Sequence, residues 1–236
     1  MDRPEVSAAD IEVLRGFDTP TICNALELLD PRFMSEGFTL DPLICAFPSL
    51  PPMVGFAETS TMRASGAGSR SAAADSDFMD SYLDYVARDP RPKIAVVQDL
   101  DGRQCGRGSL WGEVNTNIHK ALGCRGVVTN GSIRDLRAIA PDFQLLAGSV
   151  GPAHAHGHWV DFADEVNVAG LIVRDGDLVH ADEHGAVVIP SAFATRLPEA
   201  ARLIMRREKV VLDICRSPAF SLDGLKKAIR ESDGLQ

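Results

Sequence analysis

Three short apolar runs limit how this chain folds. Residues 93–97 (KIAVV), 126–129 (GVVT) and 143–146 (FQLL) are rich in branched side chains. Helix-like segments separate them, 114–123 (VNTNIHKALG) and 134–140 (RDLRAIA). Runs this short and apolar suit strands buried on both faces, which are characteristic of parallel sheets. Strand, helix, strand, helix, strand in that order implies a parallel sheet joined by crossovers, an α/β core.

The flanks add to this core. Thr19 is placed to N-cap a helix with Pro20 at its first position and an apolar face of Ile22, Ala25, Leu26 and Leu29, stopped by Asp30-Pro31. Residues 53–59 suit a strand, and Phe78, Leu83 and Val86 mark a helix. Beyond residue 150 the stretches 154–162, 165–173, 177–181 and 186–190 suit short strands with no helices between them, a β-rich layer beside the core. A long amphipathic helix over about 192–215 closes the chain. Without a repeat or linker, residues 1–236 are expected to form a single domain.

Composition excludes several classes of function. Against 24 Lys+Arg stand 33 Asp+Glu, a formal charge of −9. Non-specific nucleic-acid binding draws its energy from cationic side chains on phosphates, so no nucleic-acid partner is expected. No apolar run reaches the roughly 18 residues of a membrane span. The first residues are charged and carry no secretory pattern, so a cytoplasmic location is expected. The five cysteines (Cys23, Cys45, Cys105, Cys124, Cys215) are scattered, without a C-x-x-C pair, and suit a reducing compartment.

Chemistry concentrates at two turns. The first, residues 101–113 (DGRQCGRGSLWGE), is glycine-rich, and its amides, with the following helix N-terminus, could hold a phosphate or carboxylate. From Gly106 the spacing is one residue too long for G-x-G-x-x-G, no Walker lysine follows, and the next strand ends in Thr129-Asn130 without an acid for a ribose. A small carboxylate is the better-sized guest; an ordinary tight turn is the plainer alternative. The second turn carries Arg134-Asp135 at the start of the expected helix 134–140. Arginine suits bidentate carboxylate recognition and aspartate suits Mg²⁺, although a helix-start carboxylate beside a solvated arginine has the same pattern. Because the two turns end successive strand-to-helix connections, both fall on one edge of one sheet.

Glu113, twenty intervening residues, and then Arg134-Asp135 resembles the acidic-x20-Arg-Asp motif of class II pyruvate aldolases in the RraA-like family. Residues 111–139 (WGEVNTNIHKALGCRGVVTNGSIRDLRAI) and 173–190 (VRDGDLVHADEHGAVVIP) resemble that family's core block and later signature, a likeness that covers roughly residues 90–190. The resemblance implies a metal-dependent aldolase that cleaves a 4-hydroxy-2-oxo acid, such as 4-hydroxy-4-methyl-2-oxoglutarate, to pyruvate, with oxaloacetate decarboxylation as a side activity. Asp135 would bind Mg²⁺ or Mn²⁺. Arg134 would contact the 2-oxo acid end and stabilise the pyruvate enolate. The turn of Gly112, Glu113, Val114 and Asn115 would hold the substrate carboxylate on its amides, and Glu113 would move a proton through water. The resemblance also implies trimers or hexamers, with Glu208 of a neighbouring copy near the metal. Glu113 is one methylene longer than the aspartate of several aldolases. Members that regulate ribonuclease lack the acid after the arginine, so Asp135 favours the enzyme over a regulator acting by protein binding.

Other polar clusters compete with this site. On a strand, His154, His156 and His158 would share a face, and H-x-H suits zinc. Yet the outer two would lie roughly 13 Å apart, too far for one ion, so hydrogen-bonded or interface histidines are the alternative. Asp182-Glu183-His184-Gly185 suits a turn, and Trp111 and Trp159 suit packing. Lys93, Lys120 and Lys209 have no context that suggests a Schiff base.

Overall fold

The computed structural model describes residues 6–235. Two helices, α1 (Ala8–Leu14) and α2 (Thr19–Leu29), precede a short strand, β1 (Ile44–Cys45). Next come β2 (Met53–Arg63), α3 (Ala72–Ala87), β3 (Lys93–Asp99), α4 (Glu113–Ala121), β4 (Cys124–Ile133) and β5 (Gln144–Val150). Five strands follow without a helix: β6 (His158–Phe162), β7 (Val166–Val168), β8 (Leu171–Val173), β9 (Leu178–Asp182) and β10 (Gly185–Ile189). Three helices end the chain, α5 (Ser191–Ala194), α6 (Leu197–Cys215) and α7 (Leu222–Asp233).

The sheet runs in the order β1-β5-β4-β3-β2-β9-β10, with β6 also on β2. Its centre, β2-β3-β4-β5, is parallel, as the alternating sequence predicts. The eleven-residue β2 is long enough to share its outer edge between two antiparallel partners, β9 over Met53 to Phe56 and β6 over Ser60 to Arg63. Most of the β-rich half therefore extends the same sheet. Only the β7–β8 hairpin forms a separate layer, laid over one sheet face.

Strand alternation sorts the core. Ile94 and Val96 of β3 face the hairpin with Val128, Leu146, Val166 and Val173. Ala95 and Val97 point the other way, into Tyr82, Tyr85, Trp111, Phe143 and Trp159. Val54 and Phe56 of β2 pack with Leu178 and Ile189 under α1, α2 and α6.

Several local expectations are corrected. Asp18, not Thr19, N-caps α2 through Thr21 N–H at 2.9 Å, which moves Pro20 one place further into the first turn. The buried face of α3 is Tyr82, Tyr85 and Val86. No helix forms over 134–140. Instead β4 continues to Ile133, paired with Val150 of β5 and bridged to Trp111. The closing helix is broken at residues 195–196, with Pro198 in the first turn of α6, and α7 follows it, N-capped by Ser221.

Candidate functional site

The glycine-rich turn after β3 is held from inside. Asp99, buried at the strand end, accepts from Gly106 N–H at 2.8 Å and from Asp101 N–H at 3.0 Å. Asp101 accepts from Ala64 N–H, Ser65 N–H and Ser65 Oγ at 2.6–2.7 Å. Burial alone would raise the Asp101 pKa, but these donors and Arg63 outweigh it and hold the carboxyl below its usual range. Ser109 N–H goes to Ala153 O at 2.9 Å. The amides of Gly106 and Ser109 are thus spent on the protein, and the glycines serve close packing: a Cβ on Gly108 would lie 2.4 Å from His154 O.

The open donors lie further on, where the turn enters α4. Gly112 is the N-cap residue and offers no side chain to cap with. Helix geometry leaves the next N–H groups, of Glu113, Val114 and Asn115, without intrahelical acceptors. The turn is fixed around them: Thr116 Oγ1 donates to Gly112 O at 2.8 Å, and Asn115 Nδ2 donates to Leu110 O at 2.6 Å. Glu113 and Val114 are exposed.

Arg134 and Asp135 arrive from β4. Arg134 N–H bonds Trp111 O at 2.9 Å, continuing the strand contact. Asp135 then takes φ +55°, a left-handed conformation that ends any helical course and turns its carboxylate back over α4. Asp135 Oδ2 lies 3.4 Å from Glu113 N and 3.3 Å from Arg134 Nε. The arginine nitrogen is within ion-pair distance but not aimed at the oxygen, so it is a buried donor without an acceptor among the described residues. A Cβ on Gly112 would stand 2.4 Å from Asp135 Oδ2; the carboxylate occupies the space that glycine leaves.

Glu113, Asp135, Leu136, Arg137 and Ala138 line a shallow hollow. A second hollow on the far side of Asp135 is lined by Arg134, Leu136, Val150, Gly151 and Pro152. The six residues singled out in the sequence, Gly112, Glu113, Val114, Asn115, Arg134 and Asp135, thus meet at one sheet edge. The donor set fits a hard divalent cation that keeps most of its waters: one half-exposed carboxylate with an oxygen, Oδ1, that no protein donor reaches among the described residues. Among the described residues no three His, Cys, Asp or Glu side chains gather as a ready metal cage.

The competing clusters fall elsewhere. His154 and His156 lie on a turn, with Ala155 at φ +50°, and only His158 enters β6, so the shared strand face does not form. Lys93 is buried, and its Nζ caps Val86 O at the end of α3. Lys120 bonds Pro141 O, and Lys209 pairs with Asp213 at 2.7 Å. Glu208 is exposed on α6. Asp182 is a fastener: it accepts from Thr19 N–H and from His184.

Sequence reasoning missed His119 and Tyr82. His119 is buried under the site, with Nδ1 2.7 Å from Asn115 O and Nε2 2.8 Å from Tyr82 Oη. The available signal was its four-residue spacing from Asn115, which sets both on one helix face.

Comparisons with known proteins give the family and the fold. The model of the RraA-like family, described as Aldolase/RraA, matches residues 19–188. Pseudomonas aeruginosa proteins provisionally named 4-hydroxy-4-methyl-2-oxoglutarate aldolase are 31% identical over 126 residues, 52% of this chain and 75% of theirs. An uncharacterized Methanocaldococcus jannaschii protein is 30% identical over 118 residues, which are 49% of this chain and 57% of that protein. Among solved structures, a Pseudomonas syringae protein aligns with TM-score 0.73 at 19% identity, covering 98% of this chain and 97% of its own. Streptomyces coelicolor RraAS2, described as an unusual member of the RNase ES inhibitor RraA family, aligns with TM-score 0.66 at 21% identity over 89% and 97%. These two structures share the fold.

Proposed function

The chain belongs to the RraA-like family, and from that membership we propose that it is a divalent-cation-dependent aldolase releasing pyruvate from a 4-hydroxy-2-oxo acid. The carrying observation is the Asp135 carboxylate, turned by its left-handed backbone over the uncapped start of α4 and beside Arg134. The provisional name of the Pseudomonas aeruginosa relatives supports the same substrate class.

Each group then has a task. The Val114 and Asn115 amides, at the positive end of α4, receive the substrate carboxylate. Arg134, whose Nε has no acceptor among the described residues, would stabilise the negative charge that gathers on the 2-oxo oxygen as the bond breaks. Asp135 would hold Mg²⁺ or Mn²⁺, which when bound supplies Lewis-acid stabilisation of that charge. Glu113 takes the 4-hydroxyl proton through water. The C3–C4 electron pair passes to C3 as the enolate, C4 leaves as a carbonyl, and a proton returned to C3 gives pyruvate. Oxaloacetate decarboxylation passes through the same enolate and is the expected side reaction. We extend the proposal to assembly as a trimer or hexamer.

A coupled pyruvate assay across 4-hydroxy-2-oxo acids, with and without Mg²⁺, tests this reading. Cation-dependent release is expected, and Asp135→Ala and Arg134→Ala should each lower kcat/KM by about 10²-fold or more. No release from any substrate would overturn it. So would ribonuclease inhibition that survives Asp135→Ala in a protein without lyase activity.

A further inference from the structure

Beneath the α4 N-terminus lies a side chain that the proposed chemistry leaves unused. His119 is 1% exposed, on the last turn of α4 and one helical turn below Asn115. A carbonyl can only accept, so at 2.7 Å from Asn115 O the imidazole Nδ1 carries the hydrogen. Nε2 is then an acceptor, and Tyr82 Oη donates to it at 2.8 Å. Burial pushes the His119 pKa down to about 4, so the ring is neutral at neutral pH. The ring is boxed in, 4.6 Å from the Trp111 ring and 6.2 Å from that of Trp159, centroid to centroid. Asn115 is tied from its other end as well, through Nδ2 to Leu110 O. One line of donors, Tyr82 to His119 to Asn115 to Leu110, therefore runs from α3 to the turn ahead of Gly112.

We infer that His119, in its Nδ1–H form, is a positioning residue: it holds the Asn115 carbonyl and so aims the Val114 and Asn115 amides at the substrate carboxylate. This inference rests on the aldolase reading above. A helix start without a side-chain cap frays easily, because its N–H groups lack intrahelical acceptors; here Glu113 N–H reaches Asp135 Oδ2 at 3.4 Å, and the Val114 and Asn115 amides are left for a ligand. A buried donor one turn below, itself oriented by a tyrosine hydroxyl, fixes those amides before substrate arrives. Preorganised amides act mainly on binding, so the loss of this donor belongs in KM more than in kcat.

Two substitutions separate positioning from packing. His119→Asn keeps a side-chain N–H near the Nδ1 position and leaves the Tyr82 hydroxyl without its acceptor. His119→Gln keeps an oxygen for Tyr82 and loses the donor to Asn115. With the best cleaved 4-hydroxy-2-oxo acid, His119→Gln should raise KM about 10-fold with kcat within about twofold, whereas His119→Asn should leave both within about twofold. Thermal stability should run in the opposite order, with His119→Asn the less stable. A KM that follows stability across the pair would overturn the inference. Should either variant fail to fold, ¹⁵N NMR of the wild-type imidazole decides: Nδ1–H supports the inference and Nε2–H overturns it. A wild-type protein that neither releases nor binds pyruvate marks failure of the aldolase reading instead, and the inference falls with it.

Discussion

Asp135 and Gly112 make the site by what their backbones allow. A left-handed residue with a side chain costs roughly 1–2 kcal/mol, least for Asn and Asp. Asp135 at φ +55° is thus compatible with the strain that aims it. Asp135→Asn and Asp135→Ala should abolish pyruvate release alike, while the alanine variant alone also loses about 1 kcal/mol of stability in urea. Equal stability of the two would show that the left-handed turn carries no such preference. Gly112 is constrained from the other side, because a Cβ there would sit 2.4 Å from Asp135 Oδ2 and 3.1 Å from Arg134 Cγ. Gly112→Ala should therefore displace the carboxylate, weakening Mg²⁺ binding in calorimetry about 10-fold with the circular dichroism unchanged. Unaltered Mg²⁺ affinity would mean that the carboxylate's place over α4 does not govern the cation.

Elements are joined here by side chains that take over backbone hydrogen bonds, and this decides what could be read from the sequence. The parallel centre was legible because β3 and β4 are apolar runs buried on both faces. The end of β4 was not, because Asn130 there exchanges hydrogen bonds with the Asp99 backbone, Oδ1 from its N–H at 2.7 Å and Nδ2 to its carbonyl at 3.1 Å. That side-chain ladder, with the pairing of Ile133 to Val150, carries the strand past 126–129 to Ile133, and the helix-spaced residues after it turn at Asp135 instead. The site survived the error, since a turn after a strand delivers Arg134 and Asp135 to the same edge as a helix start would. His119 was hidden for another reason: its partner Tyr82 lies 37 residues away on α3. Asp182 gives the clearest test of such a joint. It lies at the end of β9 yet accepts from Thr19 N–H at 2.7 Å in the first turn of α2. Burial would raise its pKa, but Thr19 and His184 outweigh that and hold the carboxyl below its usual range. Asp182→Ala leaves the buried Thr19 N–H unpaired and should cost about 3 kcal/mol, read as a lower urea midpoint. An unchanged midpoint would refute the joint.

For the molecule as a whole, the proposed function sets an anionic substrate against a charge of −9, and on that proposal the field would be inverted locally by Arg134, the α4 amides and a cation held at Asp135. Buried titratable groups set a second global property, the pH dependence of stability. Burial lowers the pKa of His119 and of His180 from 6.5 to about 4, and for His180 it does so against the pull of Asp182. Glu58 moves the other way, from 4.5 up to about 7, because burial, with Asp175 nearby, outweighs Arg88 and Lys93. Between pH 4.5 and 6.5 the unfolded chain holds two histidine protons that the folded chain lacks, and the folded chain holds one Glu58 proton that the unfolded chain lacks. The unfolded state thus binds nearly one more proton from these three groups, so their contribution makes stability rise with pH, by about 2 kcal/mol over those two units. Glu58→Gln removes the opposing group and should roughly double that slope. Chemical denaturation at several pH values between 4.5 and 6.5 measures it. A slope unchanged in Glu58→Gln would mean that the buried carboxyl is ionised in the folded protein, held so by Arg88 at 3.4 Å.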